Sequence, residues 1–129
     1  MDIVNKYMIA WQQNKLDAFL ELLSPDIRAV ESDGATYHGI EECRQWFTDW
    51  HDKNKVESWT LTELNQVGDH YFASWTFNYI DNHTPGVFDG MTTYSVENGK
   101  ITALTEYQLA YWRFRPYESN GKKKRRVAN

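Results

Sequence analysis

Cysteine is almost missing: Cys43 is the only one in 129 residues, so no internal disulfide can staple the chain. This agrees with a reducing compartment and predicts a cytoplasmic protein. Long apolar runs are missing too, since nothing approaches the roughly 18 to 20 residues of a membrane span. Met1-Asp2-Ile3 has neither the basic patch nor the apolar stretch of a secretion signal, so no membrane partner is expected. The four histidines, His38, His51, His70 and His83, have no spacing that presents two to one ion. No metal site is expected from them. Basic charge is scarce outside one segment. Lys122 to Arg126 hold five of the 14 Lys and Arg, which leaves nine against 18 Asp and Glu, a body at −9. Such a body repels phosphate backbones, which argues against nucleic-acid binding by the folded domain. The basic run itself reads as part of a disordered, solubilising tail over 118–129.

What remains is enough for one domain, expected over 1–117, because a chain of this length buries roughly two-thirds of its unfolded surface in a single core. It is rich in rings: 6 Trp, 8 Tyr and 6 Phe. Ile3, Tyr7, Ala10 and Trp11 recur at helical spacing behind the capping residue Asp2, and Leu16, Phe19, Leu20 and Leu23 repeat the pattern up to Ser24-Pro25. A short strand or hairpin is expected over 26–38, turning at Asp33-Gly34. Ile40, Cys43, Trp46, Phe47 and Trp50 then mark a third helix, with Glu41, Glu42, Arg44, Gln45 and Asp49 on its other face. Cys43 on that apolar face reads as a small core residue.

After Lys55 the period changes to two, and four strand-like runs follow, separated by Gly68-Asp69, by 82–86 and by Asn98-Gly99. Asn98-Gly99 is the strongest turn signal, because a two-residue hairpin loop needs the positive φ that both residues tolerate. Tyr71, Ala73, Trp75, Phe77 and Tyr79 share one face of a run, and Phe72, Ser74, Thr76 and Asn78 share the other. Helices followed by a curled antiparallel meander predict an α+β fold with one sheet face covered and the other left for a partner, hence a homodimer.

The order of elements, together with Tyr7-Met8-Ile9-Ala10-Trp11, Leu16-Asp17-Ala18, Leu22-Leu23-Ser24-Pro25-Asp26, Tyr37-His38-Gly39-Ile40 and Gly99-Lys100-Ile101, resembles the nuclear-transport-factor-2-like superfamily. Its SnoaL-like and ketosteroid-isomerase-like branch is the most similar. The resemblance spans about residues 2 to 113 and implies a cone-shaped, curved, mixed sheet packed on three helices in the N-terminal half, a cystatin-like α+β barrel. It implies an apolar pocket between the long helix and the sheet, commonly in homodimers, and no cofactor.

The resemblance also assigns candidate residues. The family's carboxylate base falls on Glu31, its helix tyrosine on Tyr7, and its protonated aspartate on Met91, with Asp89 two residues earlier. An acid on the last long strand, as in limonene epoxide hydrolase and SnoaL-type cyclases, corresponds to Glu106. Leu104, Glu106 and Gln108 share a strand face that the resemblance turns toward the pocket. The hydrolase's arginine has no counterpart in 74–81, so epoxide hydrolysis is not expected. Trp11, Trp46, Phe47, Trp50, Trp75, Phe77, Met91 and Gln108 are the expected ligand walls, with Asn78 beside them, around a small apolar or aromatic ligand. If the protein is an enzyme, the expected chemistry is isomerisation, dehydration or cyclisation, with Glu31 or Glu106 as general base and Tyr7 as donor to a developing oxyanion. The alternative is a non-catalytic ligand-binding or dimerisation module of the same fold.

Overall fold

A computed structural model describes residues 2–118 and the short strand at 124–125. Two helices open it, α1 (Ile3–Gln12) and α2 (Leu16–Glu21), followed by strands β1 (Leu23–Val30) and β2 (Thr36–His38) and by the long helix α3 (Gly39–Lys53). Four strands come next: β3 (Asn54–Val67), β4 (His70–Asp81), β5 (Thr84–Glu97) and β6 (Lys100–Gln108). The tail contributes β7 (Tyr111–Trp112), paired antiparallel with β8 (Lys124–Arg125). The rest of the expected disordered tail, 119–123 and 126–129, lies outside the described residues.

The six main strands form one mixed sheet in the order β2-β1-β6-β5-β4-β3. β3 to β6 are the expected antiparallel meander, and β1 returns parallel to β6. No strand pair joins β2 to β3, so the sheet stays open and the barrel implied by the resemblance does not close. Asn98 (φ 52°) and Gly99 (φ 77°) make the two-residue turn that sets Glu97 opposite Lys100. Two boundaries differ from expectation. α2 ends at Glu21, and Leu23 is the first residue of β1, because its backbone pairs beside Ile101 of β6. Thr84 to Gly86 belong to β5, since Asn82 and His83 alone take the positive φ that reverses the chain.

Asp2 caps α1, its carboxylate accepting from the Asn5 backbone N–H at 2.9 Å. α1 and α3 are tied through His51, whose ring nitrogens lie 2.8 Å from the Phe47 carbonyl and 2.9 Å from the Trp11 carbonyl. The ring stacks on Phe47 with centroids 4.1 Å apart. The helices cover the inner sheet face, which carries Trp59 of β3, Ala73, Trp75 and Phe77 of β4, Thr92 and Tyr94 of β5, and Leu104 of β6, all buried. The outer face carries the alternate residues, among them Phe72, Thr76, Asp89, Met91 and Tyr107.

One glycine shapes the inner face. Gly90 lies opposite Trp75, and a Cβ there would stand 2.5 Å from the Trp75 ring and 2.3 Å from the Tyr107 carbonyl oxygen. The missing side chain lets the indole lie against the strand, where its N–H donates to the Thr92 hydroxyl at 2.9 Å. Gly90→Ala is therefore expected to destabilise the fold by about 1–3 kcal/mol, because backbone and a packed ring must both move. Chemical denaturation checks this; a loss below about 0.5 kcal/mol would show that the Trp75 wall is not set by this contact.

Candidate active site

Between α1, α3 and the inner sheet face lies a cavity walled by Trp11 of α1, Trp46 and Trp50 of α3, Trp59 of β3, Trp75 and Phe77 of β4, and Phe88 of β5. Its polar walls are Glu31, Ser32 and Glu106. The rings form a continuous belt, with centroid separations of 4.9 Å for Trp11–Trp46, 5.6 Å for Trp11–Trp50, 5.8 Å for Trp50–Phe77 and 5.4 Å for Trp59–Trp75. The space is small, about 60 Å³ for the centres of water-sized spheres. That is room for on the order of five water-sized groups. The cavity continues outward into a groove lined by Tyr37, Glu41, Glu42, Gln45 and Asp49, and Glu31, Trp46 and Trp50 line both. These three residues form the throat.

Glu31 stands just past the end of β1, on the same side as buried Ala29. Its Oε1 accepts from the Tyr37 hydroxyl at 2.8 Å, and Tyr37 is held by stacking on Trp46, centroids 4.8 Å apart and planes within 10°. Lost hydration raises the Glu31 pKa above its usual value, helped by the charge of Asp33. The Tyr37 hydrogen bond works in the opposite direction by stabilising the carboxylate. Glu106 is set by β6, where pairing with buried Thr92 turns it inward. Loss of hydration pushes its pKa up to about 8, with smaller contributions from the negative charges of Glu31 and Asp33. No hydrogen bond within the described residues offsets this shift. Near neutral pH Glu106 is thus mostly a neutral acid that can donate a proton, while the Glu31 carboxylate has the Tyr37 hydroxyl to stabilise it. Two carboxyls whose environments separate their titrations form an acid and base pair.

The remaining expected residues divide. Trp11, Trp46, Trp50, Trp75 and Phe77 do line the cavity, as do Trp59, Phe88 and Ser32, which sequence reasoning missed. Inward alternation with Trp75 and Phe77 across the β3–β4 and β4–β5 turns was the signal available for Trp59 and Phe88. Phe47 is instead core, packed on Phe19 and His51 at 4.8 and 4.1 Å. Met91 does not face the cavity: the inward series of β5 is Phe88, Gly90, Thr92 and Tyr94, which leaves Met91 and Asp89 outside. Asp89 there accepts from the Thr76 hydroxyl and pairs with Arg113, each at 2.7 Å. Gln108, at the end of β6, lines a shallow outer depression with Met91, Tyr107 and Leu109. Asn78 also points outward and donates to the Ser58 hydroxyl at 3.2 Å.

Tyr7 is fully buried behind the cavity among Trp11, Phe19, Trp59 and Tyr94 and is not one of its walls. Its hydroxyl has no hydrogen-bond partner, and burial followed by the nearby Glu106 charge raises its pKa further. It packs the core behind the cavity and does not reach the cavity surface. The Cys43 thiol, fully buried on α3, is raised to about 11 by lost hydration and the Glu42 charge, which disfavours the thiolate a nucleophile requires. Among the described residues no three His, Cys, Asp or Glu side chains gather as a metal site, and no helix is long and apolar enough to cross a membrane.

The family model described as a SnoaL-like domain matches residues 4–104. None of the curated proteins matches the sequence. Among solved structures, one similar chain is a ketosteroid-isomerase-like protein of Catenulispora acidiphila in complex with trimethylamine; identity is 23%, TM-score 0.76, and 81% of this chain and 83% of that chain are covered. An LEH-like epoxide hydrolase of M. tuberculosis is 15% identical at TM-score 0.76, covering 83% and 80%. A candidate polyketide cyclase of Pseudomonas putida is 21% identical at TM-score 0.72, covering 83% and 91%. At these identities the likeness shows the fold.

The buried acid makes stability depend on pH. A carboxyl whose folded-state pKa is raised from 4.5 to about 8 contributes stability that is fully present below the lower value and is lost as pH rises through the higher one. The slope between them approaches about 1.4 kcal/mol per pH unit. Glu106→Gln removes this slope, so the variant should gain stability relative to the parent at pH 8.5 compared with pH 5. Urea unfolding at the two pH values measures it; an identical difference at both would show that Glu106 titrates in ordinary solvent.

Proposed function

The chain belongs to the SnoaL-like domain family, and from that premise we propose that it binds a small ligand in the aromatic cavity and acts on it by cofactor-free acid–base chemistry, with Glu31 as base and Glu106 as acid. The observation that carries this reading is the two carboxyls in one cavity, with Glu106 raised to about 8 and without a hydrogen bond while Glu31 accepts one from the Tyr37 hydroxyl. The Glu31 carboxylate would take a proton from a carbon next to a carbonyl, and neutral Glu106 would protonate the oxygen on which negative charge develops. From the enol so formed, protonation of another carbon by Glu31 gives the isomer, and departure of a β-hydroxyl with the Glu31 proton as water gives the dehydrated product. Attack of the enol carbon on a second carbonyl of the ligand, whose oxygen takes the Glu31 proton, gives ring closure. In each case the enol oxygen returns its proton to Glu106. The aromatic belt excludes water, which strengthens both interactions. The small cavity favours a compact reacting group over a polycyclic one, with any larger part of the ligand lying in the outer groove. That a ketosteroid-isomerase-like relative holds trimethylamine supports a ligand of this size. The outer sheet face, with Phe72, Met91 and Tyr107, supports the homodimer reading.

One observation favours the non-catalytic alternative: Tyr7, the expected oxyanion donor, is withdrawn behind the cavity wall. Deuterium incorporation next to the carbonyl of small ketones, followed by proton NMR in deuterated water, separates the two. Glu31→Gln is expected to lower the exchange rate by at least about 10²-fold. The parent's rate should fall above about pH 8, where Glu106 loses its proton, and Glu106→Gln should abolish that alkaline limb. Exchange no faster than in buffer, or unchanged in both variants, would leave the protein a binder.

A further inference from the structure

The cavity and the groove before it share a chemical bias. The groove carries Glu41, Glu42 and Asp49, the throat Glu31, and the cavity floor Glu106, while neither is lined by any lysine, arginine or histidine. Of the groove's acids, Glu41 pairs with Arg44 at 3.4 Å, both side chains exposed. Glu42 accepts from the His38 backbone N–H at 2.8 Å and Asp49 from the Gln45 amide at 3.3 Å, and neither forms an ion pair among the described residues. Inward of the throat stand Trp11, Trp59, Trp75, Phe77 and Phe88, which with Trp46 and Trp50 make seven aromatic rings. A belt of rings offers negative faces and apolar contact together, the pairing that recognises alkylated ammonium groups. An acidic entrance leading into it raises the local concentration of cations and repels anions.

We propose that the ligand of this cavity carries a small organic cation, an ammonium bearing methyl or other short alkyl groups, seated within the tryptophan belt beside Glu31. The proposal rests on the reading of this cavity as the ligand site and names the class of molecule that enters it. Size agrees, because a nitrogen with its methyl groups is a cluster of four or five heavy atoms and the cavity has room for on the order of five water-sized groups. Electrostatics agrees as well. The Glu31 carboxylate is partly desolvated, so a cation seated beside it offsets a cost that a neutral guest leaves in place. A simple metal ion is poorly served: Glu31 is already engaged by Tyr37, and the remaining surface is apolar.

The test compares choline with 3,3-dimethylbutan-1-ol, which has the same shape and no charge, by quenching of tryptophan fluorescence in the full chain. Choline is expected to bind at least about tenfold more tightly. That preference should shrink in Glu31→Gln, and the affinity for choline should fall as salt is raised. The double variant Glu42→Gln with Asp49→Asn, which leaves the cavity walls untouched, should slow choline association without changing binding of the neutral alcohol. Equal affinity for the two probes would overturn the cation assignment while leaving the cavity as a ligand site. Binding of neither would overturn it too. Ketone exchange lost in Glu31→Gln would in both cases still support the acid and base pair, so the two readings fail separately.

Discussion

The loss of water around the Glu106 carboxyl is the constraint on which the rest of this site depends. A carboxylate in that position would face rings and a second acid, with no hydrogen bond to offset its lost hydration. The group therefore keeps its proton to about pH 8, and the same hydration loss acts more weakly on Glu31, where the Tyr37 hydroxyl stabilises the charge. Depth of burial and hydrogen bonding to the carboxylate together distinguish a residue suited to give a proton from one suited to take it.

That dry environment is a product of packing. An open sheet whose inner face bears Trp59, Trp75 and Phe77 needs equally large side chains to cover it, and α1 and α3 supply Trp11, Trp46 and Trp50. Flat, rigid rings meeting at steep angles with centroids 5.4 to 5.8 Å apart do not fill space as branched aliphatic chains do, so a gap is left where several of them meet. Gly90 enlarges the tolerance at one point by letting Trp75 rest on the strand, and Thr92 fixes the indole through its N–H. The hollow is built from the same residues that form the core, which ties the site's shape to the fold's stability.

The sequence was most legible where period and turn chemistry agree. The 3.6-residue repeat of Ile40, Cys43, Trp46, Phe47 and Trp50 and the Asn98-Gly99 turn led directly to α3 and the β5–β6 hairpin. Alternation on β4 separated Trp75 and Phe77 from Phe72 and Asn78, and on β6 it put Glu106 on the face of Leu104, which the family resemblance turned toward the pocket. Met91 shows the limit. Counting back from a turn fixes a strand position only to within one residue, and one residue separates the inner from the outer face. β6 itself carries a register shift where Ser95 and Val96 pair with Ala103 and Ile101, an irregularity invisible in composition. Tyr7 failed for another reason: periodicity gives the buried side of a helix and not how deep along it the cavity reaches. Glu31 was ambiguous locally because Ala29 and Val30 are both apolar, and the parallel pairing of Ala29 with Leu104 decided it.

The difference in environment between the two carboxyls also constrains what the cavity can accommodate. A neutral, wholly apolar guest would displace whatever hydrates Glu31 and leave a desolvated carboxylate with the Tyr37 hydrogen bond alone, a cost set against the gain from covering the rings. A guest with an oxygen acceptor near Glu106 and an electron-poor or positively charged centre near Glu31 meets both requirements at once. Shape alone would admit many small molecules, and the two carboxyls narrow them to those polarised in this sense. The acidic rim imposes the same polarity before the ligand reaches the throat, since Glu41, Glu42 and Asp49 stand where an approaching molecule first loses water. Selection by charge therefore begins in the groove, and selection by proton position follows inside the belt.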